Sequence, residues 1–292
     1  MIDSNALAII IGSHDSNAIA AFSLRSGGCS PAPFDSLNFS SREGDSPENV
    51  DRNLETFCKH SEIAPHKLLA SNQVHGDTIR IIETASEGPG NADAMITARS
   101  GLYLGIKTAD CLPILILDST KKLAAAVHAG WQGTVLRITG KTMEVLKKQF
   151  GCDPLNLKAI LGPCIGPCCY EVDDRVLDPF RKNIPNGDSF IVEEQQVGRH
   201  LHAKGSRPNG VADLVVETDI AAVPLPSTRP VGQSYRVDLA GANRAELISG
   251  GIPEENIVSA NLCTACYPEL FFSHRRDKGE TGRHMAVVGF RT

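Results

Sequence analysis

The sequence predicts a layered domain of mixed strands and helices, α/β or α+β in class. Short apolar runs recur along it, at Gly101–Ile106, Leu112–Leu117, Leu123–His128 and Leu157–Leu161, each bounded by Gly, Pro, Asp or His. Amphipathic stretches of helical period alternate with these runs. The chain has 292 residues, 41% of them hydrophobic, which is enough for a full core in one domain spanning 1–292. No internal repeat is present.

Residues 17–24 read as the first strand, leading into the Gly-rich turn Arg25–Ser30. Ser46-Pro47-Glu48 opens a helix, with Ser as N-cap, Pro at the first helical position and an acid in the first turn. It runs to about His60, with Val50, Leu54, Phe57 and Cys58 on one face. Leu68–Val74 and Thr78–Ile82 flank the His75-Gly76-Asp77 turn as short strands. Three strands follow at 101–106, 112–117 and 123–128, and Gly133–Phe150 reads as one amphipathic helix ended by Gly151. Leu157–Leu161 feeds the turn Gly162–Pro167. From about 181 to 230 periodicity is lost, and this segment reads as a polar surface excursion with at most local structure. Val237–Leu239, a helix over 240–249 and a last strand at Met285–Phe290 complete the chain.

Net charge is -5, so no basic footprint for nucleic acid exists. No apolar stretch is long enough to span a bilayer. The N-terminus lacks the basic start and long apolar core of a signal peptide, so a cytoplasmic address is expected. Nine cysteines are many, but the odd count in a long chain argues against a disulfide framework. Most of them read as buried thiols. Cys263-Thr264-Ala265-Cys266 has no second Cys-x-x-Cys after it, and it reads as packed thiols, as does Cys168-Cys169.

Three soft donors stand apart: His75 in Asn72-Gln73-Val74-His75-Gly76, Cys111 in Ala109-Asp110-Cys111-Leu112-Pro113, and His128 in His128-Ala129-Gly130-Trp131. Taken singly, each reads more simply as structural. Jointly they occupy Gly- or Pro-marked turns at strand ends, where scaffolds present chemistry. Two imidazoles and a thiolate form a tripod with an open fourth position, the pattern of a catalytic zinc site. Thiolate plus imidazole favours zinc (Zn2+), with copper (Cu2+) as the alternative, over magnesium or calcium. Zinc there would bring the pKa of bound water toward neutrality. Asp110 is the expected acceptor that orients a ligand histidine.

These motifs resemble the YfiH family, also called the laccase-domain or polyphenol-oxidase family and associated with peptidoglycan editing. The resemblance runs through Ser36-Leu37-Asn38-Phe39, Gly44–Val50, the three tripod motifs, Ala92–Thr97, Gly162–Gly166, Asn243-Arg244, Cys263-Thr264, Phe272–Arg276 and Thr281-Gly282-Arg283. It implies a four-layer α/β/β/α sandwich with mixed sheets, and a metal site on His75, Cys111 and His128. It also implies phosphorolysis of adenosine, inosine and 5'-methylthioadenosine, with deamination of adenosine. The partners would be purine nucleosides and phosphate, the protein a monomer or small homo-oligomer. For the phosphate, Arg25, Arg275, Arg276 and Arg283 are candidates, since guanidinium forks suit oxyanions. Asn38 is a candidate for base or ribose. Asp110, Asp93 and Glu171 are candidates for proton transfer. Gln132 stands where the family usually has Arg, and the 181–230 region looks longer than usual.

Two other functions compete. A His-His-Cys set could bind copper in a polyphenol oxidase, although a multicopper enzyme needs more paired histidines than nine residues supply. Alternatively Cys111 is a nucleophile, with His128 or His75 as base, in a hydrolase acting on peptidoglycan precursors.

Overall fold

The computed structural model describes residues 8–10, 17–88, 90–193 and 235–292. Two large mixed sheets lie face to face. The first contains β1 (Ala8–Ile10), β2 (Ala18–Ser23), β3 (Leu68–Ala70), β6 (Tyr103–Thr108) and β14 (His284–Phe290), in the order β1-β2-β14-β6-β3. The second contains β4 (Ile79–Ile81), β5 (Ala94–Thr97), β7 (Leu112–Asp118), β8 (Leu123–Ala129), β9 (Leu157–Leu161) and β13 (Ile257–Ser259), ordered β13-β9-β7-β8-β5-β4. A small sheet joins β10 (Glu171–Val172), β11 (Ile191–Glu193) and β12 (Tyr235–Val237).

The central strands are apolar throughout because both their faces are covered. In β7, Leu115 and Leu117 meet Leu104, Ile106, Ala286 and Val288 of the opposing sheet. Leu112, Ile114 and Ile116 point the other way, toward Met143 and Leu146 of α3 (Ile138–Phe150) and Leu247 of α5 (Leu239–Ser249). On the far side of the first sheet, Ile19, Ala21 and Val287 pack on Phe57 and Cys58 of α1 (Pro47–His60). The layers therefore run helix, sheet, sheet, helix, as the family resemblance implied. α1 begins as expected, with Ser46 Oγ accepting from Asn49 N at 3.2 Å. Among the described residues, no helix is long and apolar enough to cross a membrane.

Four expectations change. The stretch 133–150 is two helices, α2 (Trp131–Val135) and α3, separated at Arg137, whose φ is 61°. Glu246 of α5 explains the break. Its carboxylate accepts from Gly140 N at 2.9 Å and from Arg137 Nε at 2.7 Å, satisfying the start of a new helix from outside. The strands flanking His75-Gly76 are shorter than expected, Leu68–Ala70 and Ile79–Ile81, and lie in different sheets: β3 pairs in parallel with β6, and β4 in parallel with β5. The chain thus crosses between sheets at His75. β13, which the sequence reading lacked, pairs in parallel with β9. Finally, the supposed excursion starts with structure. α4 (Asp174–Asn183) extends past 181, and β11 pairs with β12 across it. Residues 194–234 lie outside the described residues.

His284 opens β14 and shows what burial does to a titrating group. Its Nε2 accepts from Phe272 N at 2.7 Å, and its ring lies against Phe271 and Phe272. Desolvation brings its pKa down to about 3. The unfolded chain takes up this proton near pH 6.5 and the folded chain does not. Stability linked to His284 is therefore present above pH 6.5 and lost as pH falls toward 3, at up to about 1.4 kcal/mol per pH unit. His284→Phe leaves the Phe272 N–H unpaired and should cost ~1–3 kcal/mol at pH 7.5. Urea melts of both proteins should show that gap narrowing from pH 6.5 to pH 4. A gap independent of pH would mean His284 is not held neutral.

Candidate metal centre

The tripod is assembled from two chain crossings and a strand end at one end of the second sheet. His75 sits on the crossover between β3 and β4 with a left-handed φ of 59°. Cys111 directly precedes β7, and His128 lies near the end of β8, beside it in register with Pro113. The donor atoms of His75, Cys111 and His128 all lie within 4.8 Å of one another. Cys111 Sγ is 3.8 Å from His75 Nε2, and the two imidazoles meet edge to face at 4.9 Å between centroids. Gly130 makes this convergence possible: a Cβ there would come within 3.0 Å of Cys111 Sγ and 3.1 Å of the His75 ring.

Asp93 holds the centre together. It is fully buried. Its Oδ2 accepts from Val74 N at 3.1 Å and Gly76 N at 2.8 Å. Its Oδ1 accepts from His75 N at 3.0 Å and bonds His128 Nδ1 at 2.8 Å. Burial opposes ionisation, but the bonds from His128, Gly76 and Val74 outweigh it and hold the carboxyl below the usual range. With Nδ1 donating to Asp93, His128 turns its Nε2 toward the tripod. The role of orienting a histidine, expected of Asp110, thus belongs to Asp93.

Asp110 has a different task. It adopts φ 87°, and its carboxylate accepts from Thr264 Oγ1 and from Arg275 N, each at 2.6 Å. Its carbonyl accepts from Ile165 N at 2.9 Å. Three segments therefore pin a strained turn, and the next residue is Cys111. Burial would raise the Cys111 thiol. The charge of His128 and hydrogen bonds from both histidines reverse that and hold it at about 6.

The donors fit a tetrahedral soft cation. Zn–N and Zn–S bonds of ~2.0–2.3 Å require donor separations of roughly 3.6 Å. One thiolate, two imidazoles and an outer carboxylate supply the charge and orientation such an ion needs. His75 is exposed, so the fourth direction opens outward.

The other candidates separate clearly. Arg25 is engaged by both carboxylate oxygens of Asp35 and by the Asp35 and Pro268 carbonyls. Arg276 is engaged by Asp277 and the carbonyls of Thr264 and Phe271, and Arg283 by Glu43. Asn38 is buried and its amide bonds Ser40, Asp45 and Arg283 N, so it braces a loop. Arg275 alone of these makes no ion pair among the described residues. It lies 5.2 Å over the Tyr170 ring and donates to the Glu171 carbonyl, while its backbone N–H holds Asp110. Gln132 is exposed in the first turn of α2.

Tyr170, Lys107 and Arg42 were not foreseen. Burial, then the Cys111 charge, pushes the Tyr170 phenol up, which marks it as a neighbour of the tripod. Gln73, two residues before His75, clamps the Lys107 backbone from both sides at 2.6 and 2.7 Å. Desolvation and then Arg42 bring the Lys107 ammonium down. Arg42 in turn bonds Asn72 at 2.9 Å. Only proximity in the fold, not spacing, joins these cations to the His75 loop.

Residues 19–209 and 208–291 match the family described as multi-copper polyphenol oxidoreductase laccase. The chain is 31% identical over 283 residues to the purine nucleoside phosphorylase YlmD of Geobacillus stearothermophilus, covering 94% of this chain and 90% of that one. It is 32% identical over 206 residues to the adenosine deaminase RL5 of an unknown prokaryotic organism, covering 70% and 64% respectively. The crystal structure of the Bacillus licheniformis hypothetical protein YfiH superposes with a TM-score of 0.81 at 28% identity over 98% of both chains. The chain belongs to the laccase-like YfiH family.

Proposed function

We propose that this protein is a purine nucleoside phosphorylase acting on adenosine, inosine and 5'-methylthioadenosine, with adenosine deaminase activity at the same centre. The observation that carries this reading is the His75/Cys111/His128 tripod, oriented by Asp93 and open on one side, in a chain related over 94% of its length to a protein named purine nucleoside phosphorylase and over 70% to one named adenosine deaminase. A zinc ion held there would supply a Lewis acid and bring the pKa of bound water toward neutrality. The chain's own residues do the rest. His75, Cys111 and His128 hold the ion, Asp93 fixes the His128 tautomer, and Asp110 aims Cys111. Arg275 has its Nε and Nη2 free of partners among the described residues, next to Asp110, and suits a phosphate oxyanion there. Lys107 and Arg42 add positive charge at the His75 loop. Of the three carboxylates weighed for proton transfer, Asp93 and Asp110 are spent on hydrogen bonds. Glu171 keeps a carboxylate with none among the described residues, and its carbonyl anchors Arg275.

The copper-oxidase alternative finds less support. Among the described residues, no histidines beyond His75 and His128 join a potential metal group. Zinc-loaded protein incubated with adenosine should give free adenine only when phosphate is added, and inosine without it, as resolved by chromatography. Neither product at any metal loading would sink the nucleoside reading. Dioxygen uptake with a phenol would revive the oxidase.

A further inference from the structure

A second group of soft donors lies outside the tripod. β9 and β13 are parallel neighbours, so the loops that leave them run side by side, bridged at Cys164 and Cys263. The first loop brings Cys168 and Cys169, and the second brings Cys263 and Cys266. All four sulfurs lie within 4.8 Å of one another. Cys266 Sγ is 3.5 Å from Cys168 Sγ and 3.4 Å from Cys169 Sγ. Covalent S–S bonds are far shorter, at about 2.05 Å. The edge of a tetrahedron with Zn–S bonds of ~2.3 Å is roughly 3.8 Å, close to these separations. A multi-iron cluster would hold its cysteines further apart than this. Cys263 and Cys266, which by spacing alone read as packed thiols, are joined here by two cysteines from nearly a hundred positions earlier.

We propose that Cys168, Cys169, Cys263 and Cys266 bind a single zinc ion in a closed tetrathiolate site, separate from the tripod. The surroundings are built for thiolates. Gly166 N donates to Cys263 Sγ at 3.3 Å, and a Cβ on Gly166 would come within 3.4 Å of Cys263 Cβ and 3.3 Å of Cys168 Sγ. Four thiolates around a dication keep excess negative charge, and two guanidiniums flank them. Arg236 donates to the Cys168 carbonyl, and its Nε is buried without a partner. Arg276 donates to the Thr264 carbonyl at 3.0 Å, inside the Cys-x-x-Cys turn. Cys168 is buried, whereas Cys169 and Cys263 are half-buried and Cys266 is exposed, which leaves a path for the ion.

The site fills all four positions with sulfur, so its role is structural. Its two loops also hold the tripod. Thr264, next to Cys263, bonds the Asp110 carboxylate, and Ile165 bonds the Asp110 carbonyl. A zinc staple here fixes the segments that aim Cys111.

Zinc content measured on purified protein tests this. The wild type should carry about two zinc ions per chain, Cys111→Ser one, and Cys266→Ser one. Cobalt-loaded Cys111→Ser protein should show tetrahedral d–d bands with intense sulfur-to-cobalt absorption, and adding Cys266→Ser should abolish them. Should Cys266→Ser prove insoluble, the Cys111→Ser protein decides alone. Zinc-free Cys111→Ser protein with no cobalt bands overturns the proposal. So does a disulfide among the four cysteines, mapped by mass spectrometry without reductant.

Discussion

Cys111→Ser is expected to lower kcat/KM for adenosine by about 10³-fold or more. The size follows from what would be lost: a metal ion held there would stabilise the transition state by several kcal/mol, and each ~1.4 kcal/mol is tenfold in rate. Cys111 is the single anionic donor of the tripod, its thiol held at about 6 by His128 and His75 against burial. Serine keeps the volume and loses the thiolate, so the ion meets two neutral imidazoles. His128→Ala should fall as far, because it removes a donor and takes one of four hydrogen bonds from the buried Asp93 carboxylate. Chelation separates this from a cysteine nucleophile. Wild-type activity should vanish with a zinc chelator and return with zinc, whereas Cys111→Ser should not respond to zinc. Activity that survives chelation but not Cys111→Ser would establish the nucleophile instead.

Much of this centre is legible in the sequence because its soft donors sit where patterns end. Cys111 and His128 stand at the ends of apolar runs, which are long because both faces of β7 and β8 are buried. What the pattern hides is which segments meet. The two short strands around Gly76 are visible in the sequence, but nothing local shows that they belong to opposite sheets. Arg137 looks like one more residue of a helix, since Glu246, which lets a new helix begin there, lies 106 positions from Gly140. Cys168 and Cys169 gain meaning only from the parallel pairing of β9 with β13. Asp93 and Asp110 are each one buried acid in an apolar stretch. Spacing cannot tell which of them faces an imidazole and which a backbone turn.

Asp93→Asn tests that distinction directly. The carboxylate accepts four hydrogen bonds, from Val74, His75, Gly76 and His128. An amide has one acceptor oxygen, and its NH2 would face donors wherever it points. Leaving buried donors unpaired should cost ~2–4 kcal/mol of stability, read from urea melts. The carboxyl is held low, so its stability is present above the unfolded value near pH 4 and lost as pH falls below it. The difference between wild type and variant should therefore shrink in acid. Zinc affinity, read by chelator competition, should fall about 10–100-fold, as expected when the partner of a ligand histidine is removed. The decisive reading is kcat at saturating zinc. A residue that acts by positioning His75 and His128 gives a variant whose kcat largely recovers once the ion is forced in. If Asp93 itself carried the proton, kcat would stay low by about 10²-fold or more at any zinc concentration, and one limb of the pH–rate profile would disappear. The four bonds already on a carboxylate that is itself fully buried argue for recovery.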